Sequence, residues 1–375
     1  MVGKKVPPIR RDGPAGFVVA LLDSPEIVQL IAELEGLRWT GRRGYPIRSL
    51  VGACLAKSVY AVPTWSRTAR LIGEHPVLQA AIGGCPSVYA LYRFTKKLRT
   101  HKPLLDACID RVTAALREEL PGYGQDIAID ASDLPAFANG QRYLKKNGPE
   151  RERYSDPDAS WGHRSATSTR KHGGFYGYKL HAAVCARTDL PVAWHVTTGS
   201  THEASQAEKL LGAIKSHNFK PETATLDRGY DSRFVYDACH QAGALPVIPL
   251  RKTKAVKQGK HRPPTCEHGT WTFAGTDFER KLTKWRCPTG DCQPKSRWRK
   301  ASRLHPLIPR ETKRWGNLYR GRASVEREFG RLKHDYALTP LRVRGLDRVQ
   351  LHTDLTMLAA LSAALARART LPLAA

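Results

Sequence analysis

Acidic residues are scarce in this chain. Its 375 residues carry 34 Asp and Glu against 61 Lys and Arg, a net charge of +27. That excess excludes an ordinary neutral cytosolic enzyme and calls for an anionic partner, either nucleic acid or an anionic membrane surface. Long apolar runs are missing as well. The longest helix-like one, 355–366, is bounded by Asp354 and Arg367 and falls short of the roughly 20 residues that span a bilayer. No membrane partner is therefore expected. A secretory leader is not expected either. Lys4, Lys5, Arg10 and Arg11 precede the apolar run 16–22, but Pro14 lies just before that run and Asp23 ends it. No period recurs, which excludes a solenoid or collagen-like chain. The eight cysteines are scattered instead of forming a compact framework. A reducing, cytoplasmic setting is the expectation.

What is present suffices for a large core: 41% of residues are hydrophobic and 8% aromatic, which excludes wholesale disorder. Residues 1–120 read as a helical DNA-binding module, because apolar residues recur at three- and four-residue spacing in Ile27, Leu30, Ile31 and Leu34 and again in Leu50, Cys54 and Leu55. Ser87 can cap a helix that carries Arg93, Lys96, Lys97 and Arg99. A helix-turn-helix would place such a helix in a major groove, and a solvated basic helix is the plain alternative.

From Asp126 the pattern turns to strands at 126–131, 176–186, 191–198, 223–226 and 245–250, with a hairpin at Thr188-Asp189 and helices at 204–216 and 233–241. The order β-β-β-α-β-α-β predicts an α/β fold, a mixed sheet with crossover helices, assembled from 121–250 and 313–375. Between them, 251–312 reads as a basic insert rich in Cys and Trp. One helix is expected from about Asn317 past Lys333, and a last amphipathic one over 346–369.

Within 319–333, helical phase places Tyr319, Arg322, Glu326 and Lys333 within roughly 60° of one another, beside an apolar stripe of Val325, Phe329, Leu332 and Tyr336 rotated by about 80°. Asp130 and Asp227 stand at strand ends, where sites collect in open α/β sheets. Three converging carboxylates need a neutralising cation, and hard oxygen ligands select Mg²⁺ or Mn²⁺. A pair of such ions suits in-line displacement at phosphorus. Asp133, Asp231 and Glu328 are neighbouring competitors that strand alternation and helical phase aim elsewhere.

The spacing Y-x2-R-x3-E-x6-K, filled by Tyr319, Arg322, Glu326 and Lys333, resembles the signature of DDE transposases of bacterial insertion sequences. Asp130, in a D-x-[ST] setting, and Asp227, in a D-x-G-Y setting, match that family's two catalytic aspartates, and the segment Gly177-Tyr178-Lys179-Leu180-His181 looks like its second strand. The resemblance implies a ribonuclease H-like fold. It further implies that Asp130, Asp227 and Glu326 hold two Mg²⁺ or Mn²⁺ ions while Tyr319, Arg322 and Lys333 contact phosphates. Expected partners are double-stranded DNA, as element ends and target, and a homodimer or higher oligomer formed on it. A transposase-derived DNA-binding protein without transposition and a metal-dependent nuclease on the same fold are the competing readings.

In the insert, Cys266 and His268 precede Cys287 and Cys292, four potential ligands for a structural Zn²⁺ against a reading as unligated thiols. Trp271, Trp285, Trp298 and Trp315 lie among cations there or beside it, which suits stacking on unpaired bases as well as it suits a small core.

Overall fold

The computed structural model describes residues 13–37, 44–146, 148–164 and 173–370. Lys4, Lys5, Arg10 and Arg11 lie outside them. Residues 14–119 form α1 (Pro14–Leu22), α2 (Pro25–Gly36), α3 (Ile47–Val59), α4 (Trp65–Glu74), α5 (Pro76–Ile82), α6 (Val88–Thr100) and α7 (Lys102–Glu119). Local chemistry sets these boundaries. Pro is at the start of α1, α2, α5 and α7, where its missing N–H costs nothing. The Thr64 hydroxyl accepts from Arg67 N at 3.2 Å to begin α4, and Ser87 accepts from Ala90 N at 3.3 Å to begin α6.

The sheet contains β1 (Asp126–Pro135), β2 (Ser160–Arg164), β3 (Gly173–Cys185), β4 (Pro191–Thr198), β5 (Thr223–Leu226) and β6 (Leu245–Val247), with α8 (Ala207–Ser216) and α9 (Arg233–Gln241) as crossovers. From one edge the order is β4-β3-β1-β5-β6, with β2 paired to the first residues of β3. β3 runs antiparallel to β1 and β4, whereas β1, β5 and β6 are parallel. This is the ribonuclease H-like arrangement. β3 lies inside the sheet with its last nine residues buried, and its sequence there is nearly continuous and apolar, as a strand covered on both faces requires.

Three expectations change. The first strand, expected to end at residue 131, continues to Pro135 as β1, and β2 adds a strand before the one expected at 176. The strand expected at 245–250 stops at Val247, because the Ile248 carbonyl accepts from Arg310 Nε and Tyr236 Oη instead of a ladder partner. The single helix expected around 317–333 is two, α11 (Lys313–Arg320) and α12 (Ala323–His334). Between them the bonds Gly321 N to Leu318 O, Arg322 N to Tyr319 O and Ser324 N to Gly321 O tighten the chain into a three-residue repeat. A Cβ on Gly321 would stand 3.2 Å from the Ala186 Cβ and 3.0 Å from the Leu318 carbonyl, so any larger residue would have to push the turn a few tenths of an ångström off the residue that follows β3.

The insert holds α10 (Lys254–Lys257), the hairpin β7 (Thr265–Cys266) and β8 (Gly269–Thr270), and a three-stranded sheet of β9 (Thr272–Asp277), β10 (Leu282–Arg286) and β11 (Ser296–Lys300). The last helix, α13 (Leu346–Thr370), is long and apolar enough to cross a membrane, but most of it is buried against α7, α3 and β4. Its Leu358 and Leu361 are at most 1% exposed, each contributing about 1.5–3 kcal/mol by burial. Trp194 Nε1 donates to Asp354 Oδ1 at 2.9 Å and Val196 N to Gln350 Oε1 at 2.8 Å, fixing α13 to β4. Through α13 the helical residues and the sheet share one contiguous core.

Candidate active site

β1 and β5 run parallel, with Ile129 opposite Leu226, so Asp130, in the middle of β1 and not at its end as the sequence suggested, neighbours Asp227, the residue after β5. α12 packs across β1 and β3 and supplies the third carboxylate. Its apolar stripe faces the sheet: Val325, Phe329, Leu332 and Tyr336 are all buried. That phase leaves Glu326 on the open border, with 59% of its side chain exposed.

Arg322 joins the carboxylates. Its Nη1 donates to Asp130 Oδ2 at 2.6 Å and its Nη2 to Glu326 Oε1. Asp130 Oδ1 accepts the N–H of Ala131 at 2.8 Å, and Asp227 Oδ1 accepts from Gly229 N at 2.6 Å. Burial pushes the Asp130 carboxyl up to about 7; Arg322 and the Ala131 N–H oppose that rise, while the charges of Asp227 and Glu203 add to it. The site is therefore short of positive charge, and a carboxylate set of this kind fits a hard divalent cation. Lys333 Nζ donates to Ser132 Oγ at 2.7 Å, two residues along β1 from Asp130. Tyr319 stacks on Trp315 with ring centroids 4.9 Å apart.

The three competing carboxylates are placed differently. Glu328 is 1% exposed and lies against Arg331 in the protein interior. Asp231 is buried and accepts from Arg251 N at 2.7 Å and Arg303 Nη1 at 2.6 Å. Asp133 pairs across the ladder with Lys179.

Sequence reasoning missed Glu203. It begins a short 3-10 turn packed against the turn that follows Asp227. The buried Lys179, which also donates to Thr201 O at 3.2 Å, holds it at 3.0 Å. The Tyr230 hydroxyl is also buried, with no hydrogen-bond partner, and burial together with the charges of Asp130, Glu203 and Asp227 keeps it well above the ordinary phenol range. The only signal for either was the Gly-Tyr after Asp227; Glu203 comes from a turn without periodicity.

On α6, Arg93 covers the Tyr89 ring at 4.8 Å and Lys97 Nζ reaches the Leu34 and Leu37 carbonyls at the end of α2, while Lys96 lines a cavity toward α13. In the insert, the ligand atoms of Cys266, His268, Cys287 and Cys292 lie within 4.8 Å of one another. Cys292 Sγ is 3.5 Å and Cys287 Sγ 3.8 Å from His268 Nδ1, and Cys266 Sγ is 3.8 Å from Cys287 Sγ. Trp271 and Trp285 pack around Cys287 as a small core. Trp298 is exposed with Lys284 over its ring. Two of the four tryptophans thus form a small core, Trp298 is left at the surface, and Trp315 stacks on Tyr319.

Residues 123–362 match the family model described as the transposase DDE domain. Among solved structures the chain is similar to a piggyBac transposase in a synaptic complex with hairpin DNA, at 12% identity over 96% of this chain and 82% of that one, with a TM-score of 0.32.

Proposed function

Because the chain belongs to the transposase DDE-domain family and is a DDE-type DNA transposase, we propose that Asp130, Asp227 and Glu326 are its catalytic carboxylates and hold two Mg²⁺ or Mn²⁺ ions. The observation that supports this most directly is the convergence of Asp130 and Glu326 on one guanidinium, with Asp227 on the adjoining parallel strand. DDE transposases use divalent metal ions. When bound, such a pair activates a water or a DNA 3′-hydroxyl and steadies both oxygens of an in-line displacement at phosphorus.

The protein's own groups bind and orient. Arg322 spans the carboxylates as their counter-charge; its planar fork can equally take two phosphate oxygens, so a scissile phosphate can draw it off Asp130 and Glu326. Lys333, anchored on Ser132 beside Asp130, presents a point charge to the same DNA backbone, and Tyr319 is held by Trp315 at the rim. Arg93, Lys96 and Lys97 on α6 extend the DNA contact. The substrate in this reading is the ends of the chain's own mobile element, of the insertion-sequence class by signature, joined to a target by a homodimer or higher oligomer in the cytoplasm. The four ligands of the insert hold one structural Zn²⁺, whose tetrahedral thiolate and imidazole preference they match.

Purified protein with Mg²⁺ and DNA carrying the element ends tests the reading. Joined products from the wild type, and none from Glu326→Gln at undiminished binding, are expected. A DNA-binding relic gives no cleavage at all, and a plain nuclease cleaves without joining. Joined products that persist in Glu326→Gln remove Glu326 from the mechanism.

A further inference from the structure

A cavity of about 820 Å³ lies between α3, α4 and α6 on one side and the segment 342–355 on the other, away from the carboxylates. Its lining includes Lys57, Arg67, Lys96, Arg99, Arg344 and Arg348, and no carboxylate among the described residues. Arg342 and Arg344 hold their guanidinium groups 5.1 and 5.0 Å from the Phe137 ring at its edge. Tyr92 and Phe137 are exposed there, and Trp65 backs the cavity.

Lys57 distinguishes this cavity from a merely basic surface. It is 5% exposed, its ammonium has no hydrogen-bond partner, and the Trp65 ring at 5.5 Å is its nearest compensation. A buried charge left unpaired is strongly destabilising, so its presence at a cavity wall points to an anion that completes it. Burial brings Lys57 down to about 8, which still leaves it charged at neutral pH. Burial and the charge of Arg348 lower Arg99, and the Asp347 carboxylate, outside the cavity lining, opposes them. Burial and the charge of Lys57 bring the neighbouring His352 down to about 3, so it adds no second positive charge there.

We propose that this cavity binds an unpaired stretch of DNA, with phosphates on Lys57, Arg99 and Arg348 and bases against Phe137 and Tyr92. The volume suits a small ligand or a nucleotide or two, but not a duplex, whose major groove alone is roughly 12 Å wide. Aromatic faces among cations are the means by which proteins hold single strands. The position is also apt. Phe137 follows β1, seven residues beyond Asp130, so the cavity edge is at most roughly 23 Å from the proposed catalytic centre along an extended chain. The assignment rests on the chain acting on DNA and not on which carboxylates cut it.

The test is the anisotropy of a fluorescent oligothymidylate of about twelve nucleotides without divalent metal, beside a duplex of equal length. Lys57→Met and the double variant Arg99→Gln/Arg348→Gln should each lose about tenfold or more in single-strand affinity. The slope of log K against log salt should become shallower by about 0.7 per lost phosphate contact, with much less effect on the duplex. Lys57→Met removes an unpaired buried charge, so its melting temperature should hold or rise; a folding defect therefore cannot imitate the result. Unchanged single-strand affinity in both variants overturns the proposal, as does an equal loss on the duplex. Stabilisation by inorganic phosphate or dAMP without oligonucleotide binding assigns the cavity to a small anion and overturns it too. Repeating the titration in Glu326→Gln separates the two readings: binding that survives there, whatever the cleavage assay gives, supports the cavity independently of the catalytic assignment.

Discussion

Glu328→Gln tests the reading of the catalytic helix without touching the catalytic groups. Glu328 is two residues from Glu326, but helical phase turns it inward, where it is 1% exposed. Arg331 Nη2 is 2.5 Å from Oε2, yet neither carboxylate oxygen makes a well-formed hydrogen bond. Burial outweighs Arg331 and pushes Glu328 from an ordinary 4.5 up to about 8. A raised folded-state value means that the folded chain holds the proton more tightly than the unfolded chain does. The associated stability is thus complete below about 4.5 and is lost as pH rises to about 8. At 1.36 kcal/mol per pH unit, the cost of ionising the group reaches about 3 kcal/mol at pH 7 and about 5 kcal/mol above pH 8, as upper limits. Glutamine keeps the shape and cannot ionise. Thermal unfolding of both proteins from pH 5 to pH 9 should therefore show the variant gaining on the wild type as pH rises, by roughly 2–4 °C for each kcal/mol. The gain should level off above about pH 8, with strand joining retained throughout. A melting difference independent of pH would refute the account of Glu328. Loss of joining at unchanged stability would make Glu328 the functional residue and refute the phase of α12.

Arg322→Ala and Lys333→Ala should weaken binding to element-end DNA and reduce the slope of log K against log salt by about one unit each, read by titration at several salt concentrations; unchanged slopes would mean that neither reaches a phosphate. Asp231→Asn should loosen the insert by weakening its bonds to Arg251 N and Arg303. Breaking a buried pair typically costs about 3–5 kcal/mol, and faster proteolysis within 251–312 is the readout, with a wild-type digestion pattern counting against the anchor. Purified protein should contain one zinc per chain by elemental analysis, and Cys266→Ser or Cys292→Ser should lower it; zinc-free protein with an intact insert would leave the four side chains as unligated thiols.

Much of the sheet was legible because strand and helix periods are strong there: β4, β5 and α9 begin and end where alternation and apolar spacing place them. Asp130 and Asp227 were legible for the same reason, as polar residues terminating short apolar runs. Glu203 was not, since a turn of four residues has no period and reaches the site only by packing on the turn after Asp227. Nor was the break at Gly321, where the chain passes close to Ala186, a residue 135 positions away. Lys57 sits in a helix whose other members are almost all buried, and no residue spacing marks it out from a lysine whose head reaches solvent. Only the approach of α13 to α3 shows that it ends inside.

The insert is fastened where the proposed chemistry is. The chain leaves the sheet after β6 and returns at α11, and cations at both margins bind the turn that carries Asp227. Arg251 donates its backbone N–H to Asp231 and its guanidinium to the Arg228 and Gly229 carbonyls, while Arg303 reaches the same Asp231 oxygen from the other end. Arg310 then closes the base on Tyr236 and Ile248. The margin of the insert thus bonds to Gly229, whose own N–H donates to Asp227. The converging Cys and His side chains lie around the Trp271–Trp285 core, and an insert with so little buried apolar surface needs such a further constraint to hold its shape.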